Sequence, residues 1–91
     1  MIEKHLTIDS ADPLLLYGAG NANMQMLKAL FPKLRIVARG NVIKVMGDDE
    51  TVDVFTNIIT LLEAHCEHYN SLSPEDVALT VRGESTTKEG A

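Results

Sequence analysis

The residues with the clearest capacity for chemistry are five cations in the middle of the chain. Residues 13–47 contain no aspartate or glutamate, whereas residues 48–91 contain ten acids against two basic residues. The net charge of −5 over the whole chain argues against a nucleic-acid partner. Its distribution argues the other way, because phosphate binding needs basic side chains on one surface without acids nearby. The five cations are Lys28, Lys33, Arg35, Arg39 and Lys44.

A second candidate is the glycine pair Gly18 and Gly20, which begins like a dinucleotide-binding fingerprint. The third position of that motif holds Asn23 instead of glycine, and no acid follows until Asp48, too far for the ribose. A tight turn before a helix explains the glycines, and the backbone amides of Gly18, Gly20 and Asn21 could contact a phosphate. No phosphate-loop sequence is present, so we do not expect nucleotide hydrolysis by that mechanism.

The side chains near residue 66 raise the question of a metal site. On a helix, His65 and His68 share one face, while Cys66 points along another. Two ligands do not complete a zinc site, so we expect surface histidines that complement the negative end of a helix. No nucleophile–base set is visible, and we therefore expect no catalytic residue and no metal or cofactor in this chain.

The cations at positions 35, 39 and 44 fall within the clearest predicted element, a β-hairpin. Residues 34–39 and 42–46 alternate around Gly40 and Asn41, and a glycine in the first turn position favours a type II′ turn. In this register one face of the hairpin is wholly apolar and must face the core. The other face carries Arg35, Arg39 and Lys44 with Val37, Val42 and Met46.

The remaining elements follow from periodicity and capping. We predict a strand at His5–Ile8, a turn at Asp12–Pro13, a helix that begins at Asn21 or Asn23 and ends at Pro32, and a buried run at 14–17 too short to classify. A long helix begins after Asp48, with a buried seam formed by Val52, Phe55, Ile59, Leu62, Cys66 and Tyr69.

A last short helix is predicted to begin at Ser73 with a capping box and to end near Val81. This order predicts an α+β open sandwich, in which a small, three-stranded, mostly antiparallel sheet carries two to three helices on one face. The face with the cations is then free of helices.

Length and composition bound the class of protein. The chain of 91 residues suits one domain, and a hydrophobic content of 45% supports a core. A single cysteine excludes a disulfide framework within the chain. No segment has the apolar length of a signal peptide or a membrane span, so we expect a cytoplasmic domain without membrane contact. We expect residues 1–82 to form this domain, and residues 83–91 to be a flexible tail or a truncated interdomain linker.

Four segments of the chain form a further pattern, namely residues 15–18, 21–27, 36–47 and 72–77. Together they resemble the N-terminal domain of PhoH-like proteins, and the resemblance covers roughly residues 14–82. The most specific part is residues 37–41, Val-Ala-Arg-Gly-Asn, with Gly47 closing the second strand. Members of this family are bacterial cytoplasmic proteins in which a small domain, similar to K-homology (KH) RNA-binding modules, precedes a P-loop ATPase domain. The family is linked to RNA metabolism and to phosphate starvation.

The resemblance implies a KH-like accessory domain that binds RNA or single-stranded nucleic acid and is non-catalytic by itself. ATP and Mg²⁺ would belong only to the C-terminal ATPase domain of the full-length protein, which would also be a partner. A KH module holds nucleic-acid backbone with a Gly-x-x-Gly loop between two helices. The corresponding residues 18–21 have two glycines at a different spacing and no cation. A protein-interaction or homo-oligomerisation module remains the alternative.

Overall fold

The described part of the chain contains one antiparallel sheet of three strands, β1 (Ile2–Thr7), β2 (Arg35–Arg39) and β3 (Val42–Gly47), in the spatial order β1-β3-β2. The computed structural model describes the backbone of residues 1–90 and the side chains of residues 1–83. The predicted α+β class is confirmed, and the sheet is antiparallel throughout.

The β2–β3 hairpin has the register that the sequence predicts. Arg35 pairs with Met46, Val37 with Lys44, and Arg39 with Val42. At the turn, Gly40 has a φ of +56° while Asn41 keeps a negative φ, as a type II′ turn requires. The turn is tied to two other segments. The Tyr17 Oη donates a hydrogen bond to the Gly40 carbonyl at 2.8 Å, and the Ile8 amide donates to the Asn41 carbonyl at 2.7 Å.

The first strand begins at Ile2 and ends at Thr7, so it starts earlier than the strand predicted at residues 5–8. It pairs with β3, with Glu3 opposite Met46, His5 opposite Lys44 and Thr7 opposite Val42. Directly paired residues share a face of the sheet. The face that carries the cations, here called the outer face, therefore consists of Glu3, His5, Thr7, Arg35, Val37, Arg39, Val42, Lys44 and Met46.

The helices pack on the opposite face of the sheet. They are α1 (Pro13–Tyr17), α2 (Ala22–Leu30), α3 (Asp49–Tyr69) and α4 (Pro74–Gly90), with a 3-10 turn at Ala19–Asn21. Ile43 and Val45 of β3 are fully buried together with Leu16 of α1, Leu27 of α2 and Phe55 of α3. The removal of these apolar side chains from water holds the two layers together.

The helix α1 occupies the run that was too short to classify from the sequence. The Asp12 carboxylate accepts a hydrogen bond from the Leu14 amide at 3.0 Å, and Pro13 takes the first helical position. The predicted Asp12–Pro13 turn is therefore a helix start, because both residue types favour that position. The run is not buried throughout, since Leu14 is 78% exposed.

The start of α2 differs from the prediction in its capping. Asn21 is the N-cap residue, but it adopts a left-handed conformation with φ of +61° and makes no side-chain capping hydrogen bond. Asn23 lies inside the helix and is fully buried. The helix ends at Leu30, just before Pro32, as the preference of proline for non-helical neighbours predicts.

The long helix α3 begins as predicted, because the Asp48 carboxylate accepts from the Thr51 amide at 3.0 Å. The seam is buried from Val52 to Cys66. The prediction for Tyr69 is wrong, since its side chain is 63% exposed. A helix of 21 residues is about 31 Å long, whereas six-residue strands span about 20 Å, so the last turn extends beyond the sheet.

The start of α4 has the predicted reciprocal cap. The Asp76 amide donates to the Ser73 hydroxyl at 3.2 Å, and the Ser73 amide donates to the Asp76 carboxylate at 3.1 Å. The helix runs to Gly90 rather than ending near Val81. Residues 83–90 of the proposed tail or linker at 83–91 thus lie in the last turns of α4. Residue 91 and the side chains beyond Gly83 lie outside the described residues. No described helix combines the length and apolar content that a bilayer crossing needs.

Candidate nucleic-acid interface

The three cations predicted to bind phosphate lie together on the outer face. Arg35 and Arg39 are exposed on β2, at the edge of the sheet, and Lys44 is half-buried on the central strand β3. None of the three takes part in an ion pair with another described residue. Their charges are therefore available to a ligand.

Rows of paired residues cross the outer face and set the spacing of these charges. The rows are His5–Lys44–Val37, Thr7–Val42–Arg39 and Glu3–Met46–Arg35, each written from β1 through β3 to β2. Each row holds one of the three cations. Among the described residues of this face Glu3 is the single acid, and its carboxylate lies 2.8 Å from the His5 Nε2 rather than beside a cation.

A shallow depression of about 490 Å³ lies on the outer face. It is lined by His5, Val37, Arg39, Val42 and Lys44. Val37 and Val42 occupy one diagonal of the hairpin, and Arg39 and Lys44 occupy the other. The depression therefore combines apolar side chains with two cations, while Arg35 lies in another row outside it.

The first strand contributes residues to this face that we did not predict from the sequence. Residues 2–7 alternate between the two faces, which is the period of a strand and a usable signal. The alternation of apolar and polar residues is interrupted by Lys4, a charged residue on the face of β1 that packs toward the helices. Lys4 reaches past the sheet to α3, where its Nζ lies 3.3 Å from the Asp53 Oδ1.

The remaining predicted site residues, Gly18, Gly20 and Asn21, lie in the helical layer, away from the outer face. They join α1 to α2, which pack on the core face of the sheet. The Gly18 amide donates to the Leu14 carbonyl and the Asn21 amide donates to the Gly18 carbonyl, both at 3.0 Å. Two of the three predicted amides are thus engaged inside the protein.

The glycine at position 18 serves packing against Asn23. Its φ is +84°, and a Cβ there would lie 2.8 Å from the Asn23 Nδ2. That Nδ2 donates to the Leu15 carbonyl at 3.3 Å and to the Leu72 carbonyl at 2.9 Å. The Asn23 Oδ1 is buried and makes no hydrogen bond to a described residue. Asn23 therefore links α1 to the segment that leads into α4.

Tyr17, which directly precedes Gly18, holds the hairpin turn through its hydrogen bond to Gly40. Burial raises the pKa of the Tyr17 phenol above its ordinary value of 10.0. The hydroxyl thus stays protonated and donates to the Gly40 carbonyl. Tyr17 fixes the loop between β2 and β3, and with it the position of Arg39 at the end of β2.

The histidines of α3 lie near the start of α4. The His65 Nε2 is 3.6 Å from the Asp76 Oδ2, and the Tyr69 ring packs against both His65 and His68. Cys66 is buried, which raises the pKa of its thiol and keeps it protonated, with a smaller contribution from Glu63. Within the described residues, no group of three or more His, Cys, Asp or Glu side chains is placed to hold a metal ion.

Fold and site together define a small α+β domain in which helices cover one sheet face, and the other face, which carries cations, is covered by no described helix. No family model, curated protein or solved structure matches this chain. Function is therefore inferred from the geometry of the outer face and from the residues that build it.

Proposed function

We propose that this chain is an accessory RNA-binding domain of a PhoH-like ATPase, non-catalytic by itself, and that its outer face binds the RNA backbone. The observation that carries the proposal is the placement of Arg35, Arg39 and Lys44 on one uncovered face, without an ion pair to a described acid. Basic side chains that neutralise phosphates release counterions and so supply most of the affinity for a nucleic-acid backbone.

The distribution of charge supports the outer face as the surface that binds the RNA. Acids cluster at two helix starts in the helical layer. They are Asp48, Asp49 and Glu50 at the start of α3, and Glu75 and Asp76 at the start of α4. A polyanion is repelled from that side and attracted to the outer face, because summed surface charges steer a charged ligand.

The loop of residues 18–21 lies between α1 and α2, which is where a KH module places its backbone-gripping loop. The engaged amides of Gly18 and Asn21 favour the outer face over this loop as the phosphate site. A bacterial cytoplasmic parent protein, with ATP and Mg²⁺ bound by a separate ATPase domain, belongs to the same proposal.

The test is a salt titration of RNA binding by fluorescence anisotropy. The variant Arg35→Ala/Arg39→Ala/Lys44→Ala removes three charges from the outer face. The matched control, Lys28→Ala/Lys33→Ala/Arg82→Ala, removes three exposed charges outside the outer face. The slope of log affinity against log salt is negative, and we expect the first variant to reduce its magnitude by about 2 for a single strand, while the control leaves the slope nearly unchanged.

Equal losses in the two variants would mean that net charge, rather than the outer face, drives binding. An absence of binding by the unmodified chain at low salt would also overturn the proposal. Circular dichroism of each variant establishes that the fold is retained, so that a loss of affinity is assigned to the removed charges.

The interaction module is retained as a second candidate because of the apolar residues on the same face. Val37 is 39% exposed, and Val42 and Met46 are partly exposed beside it. Sedimentation velocity of the chain tests this function. An oligomer that dissociates in Val37→Asp, together with RNA affinity that does not respond to the triple alanine variant, would favour self-association over RNA binding.

A further inference from the structure

The depression on the outer face contains an apolar diagonal that backbone binding does not use. Phosphates are charged and hydrated, so Arg39 and Lys44 suffice for them, and Val37 and Val42 add nothing to that contact. The two valines are diagonal neighbours across β2 and β3 and leave apolar surface open to solvent between the two cations. A ligand that matches the depression must carry both a negative charge and an apolar surface within a few ångströms.

We infer that the depression holds one nucleotide of a single-stranded RNA, with its base against Val37 and Val42 and its phosphate between Arg39 and Lys44. This inference rests on the proposed RNA-binding function and adds to it the form of the RNA. The face of a nucleobase is flat and apolar, and a phosphate is attached to every nucleotide. A volume of about 490 Å³ has room for one such unit.

The third side of the depression is formed by His5. Its Nε2 lies 2.8 Å from the Glu3 Oε2, and this contact joins two side chains of the same face of β1. Histidine is among the side chains on which unstacked RNA bases stack. In this arrangement Glu3 holds a ring that borders the base site, although the acid itself would repel a phosphate.

The strand must be single because a duplex hides the faces of its bases in the stack. A-form RNA exposes phosphates, 2′-hydroxyls and base edges, none of which can use the surface of Val37 and Val42. Arg35 lies in another row of the outer face and would contact only a neighbouring phosphate. Base docking and backbone binding therefore depend on different residues and can be separated.

The experiment compares three fluorescent ligands of equal length: a ten-nucleotide oligouridine RNA, its abasic counterpart, and an RNA duplex. The variant Val37→Thr/Val42→Thr keeps the shape and charge of the depression, because threonine has the size and the β-strand propensity of valine, but it adds hydroxyl groups. We expect it to weaken oligouridine binding about threefold to tenfold and to leave the affinity for the abasic strand unchanged. The control Met46→Gln makes a similar change on the outer face but outside the depression, and should leave the affinity for all three ligands unchanged.

The outcomes separate this inference from the function on which it rests. If the unmodified chain does not bind oligouridine, the RNA-binding function fails, and if the triple alanine variant binds it equally well, the outer face is not the phosphate site and both proposals fail there. If that variant loses affinity but the unmodified chain binds oligouridine and the abasic strand equally, base docking is overturned and backbone binding stands. If free uridine monophosphate competes as well as oligouridine at the same concentration of nucleotides, the ligand is a free nucleotide and the assignment to single-stranded RNA is overturned.

Discussion

The helical layer and the outer face of this domain use charged residues in opposite ways. In the helical layer, charged side chains complete the fold: Asp48 caps α3, and Asp76 closes the reciprocal cap of α4 and lies 3.6 Å from His65. On the outer face, Arg35 and Lys44 sit among half-exposed side chains without an ion pair to a described residue.

The difference shows which charges the fold needs. A carboxylate that satisfies amides at a helix start is part of the helix, because those amides have no other partner. A cation on the outer face satisfies no backbone group of the fold, and even exposed ion pairs contribute little to stability. Substitutions in the helical layer should therefore change stability, and substitutions on the outer face should change binding.

The largest effect on stability is expected for Phe55→Ala. Phe55 is fully buried in the core, and its ring lies 5.4 Å from that of Phe31 in an edge-to-face arrangement. Truncation removes the buried ring and leaves a cavity, so the free energy of unfolding should fall by about 3–5 kcal/mol. Urea denaturation measures this fall. Leu61→Ala, on the exposed side of the same helix, is the control, and an equal loss there would contradict the assignment of the core.

The buried link at Asn23 should give the next largest effect. Asn23→Ala removes the donor to the Leu15 and Leu72 carbonyls and empties a fully buried position. Unsatisfied buried carbonyls and the new cavity should together lower the free energy of unfolding by about 2–3 kcal/mol. Asn57→Ala removes the same side chain from an exposed position of α3 and should change the stability little.

The glycines at positions 18 and 20 allow a direct comparison of crowding and conformation. Gly18→Ala meets Asn23 as well as an unfavourable φ of +84°, and should destabilise by about 2 kcal/mol. Gly20 has φ of +61° but nothing within 4 Å of an added Cβ, so Gly20→Ala should destabilise by roughly 1 kcal/mol. Thermal unfolding measures both. A larger loss for Gly20→Ala would mean that the crowding at Gly18 relaxes easily.

The hairpin was predictable in full because its signals are local. Strict alternation fixes which residues share a face, and Gly40 at the turn fixes the pairing, so Arg35, Arg39 and Lys44 could be placed together from the sequence. The seam of α3 was predictable up to Cys66 for the same reason, since the helical period identifies one face.

The rest of the site depends on contacts between distant segments. Glu3 and His5 join the outer face only because β1 pairs with β3, and no local pattern determines which strand lies beside another. The five residues of α1 are too few to show a period. Asn23 looks like a helix cap because it lies close to a helix start, and its burial follows from its contact with the Leu72 carbonyl.

A smaller effect, seen as a change in the pH dependence of stability, is expected at the start of α3. The hydrogen bond from the Thr51 amide holds the pKa of Asp48 below its ordinary value of 3.8. A lowered pKa in the folded state stabilises the protein at pH values above 3.8, and this stabilisation is lost as the pH falls through the lowered value. Urea unfolding between pH 7 and pH 3 should show a shallower acid dependence in Asp48→Asn.

The control for that titration is Asp9→Asn, which removes the same charge from the segment before α1. An equal flattening in both variants would indicate a general charge effect rather than the cap. A loss of stability in Asp48→Asn that is larger in acid than at neutral pH would contradict the expected sign.

The smallest effect on stability is expected for Arg35→Ala/Arg39→Ala/Lys44→Ala. These side chains make no ion pair to a described residue and lie on a face that no described helix covers, so the free energy of unfolding should stay within about 0.5 kcal/mol of the unmodified value. Urea denaturation of the variant used in the RNA titration measures it. A loss above about 1 kcal/mol would show that the cations serve the sheet itself, and the contrast between the two layers would fail. Retained stability together with lost RNA affinity would mean that the outer face carries charge for a ligand, since the fold gains nothing from keeping three cations there.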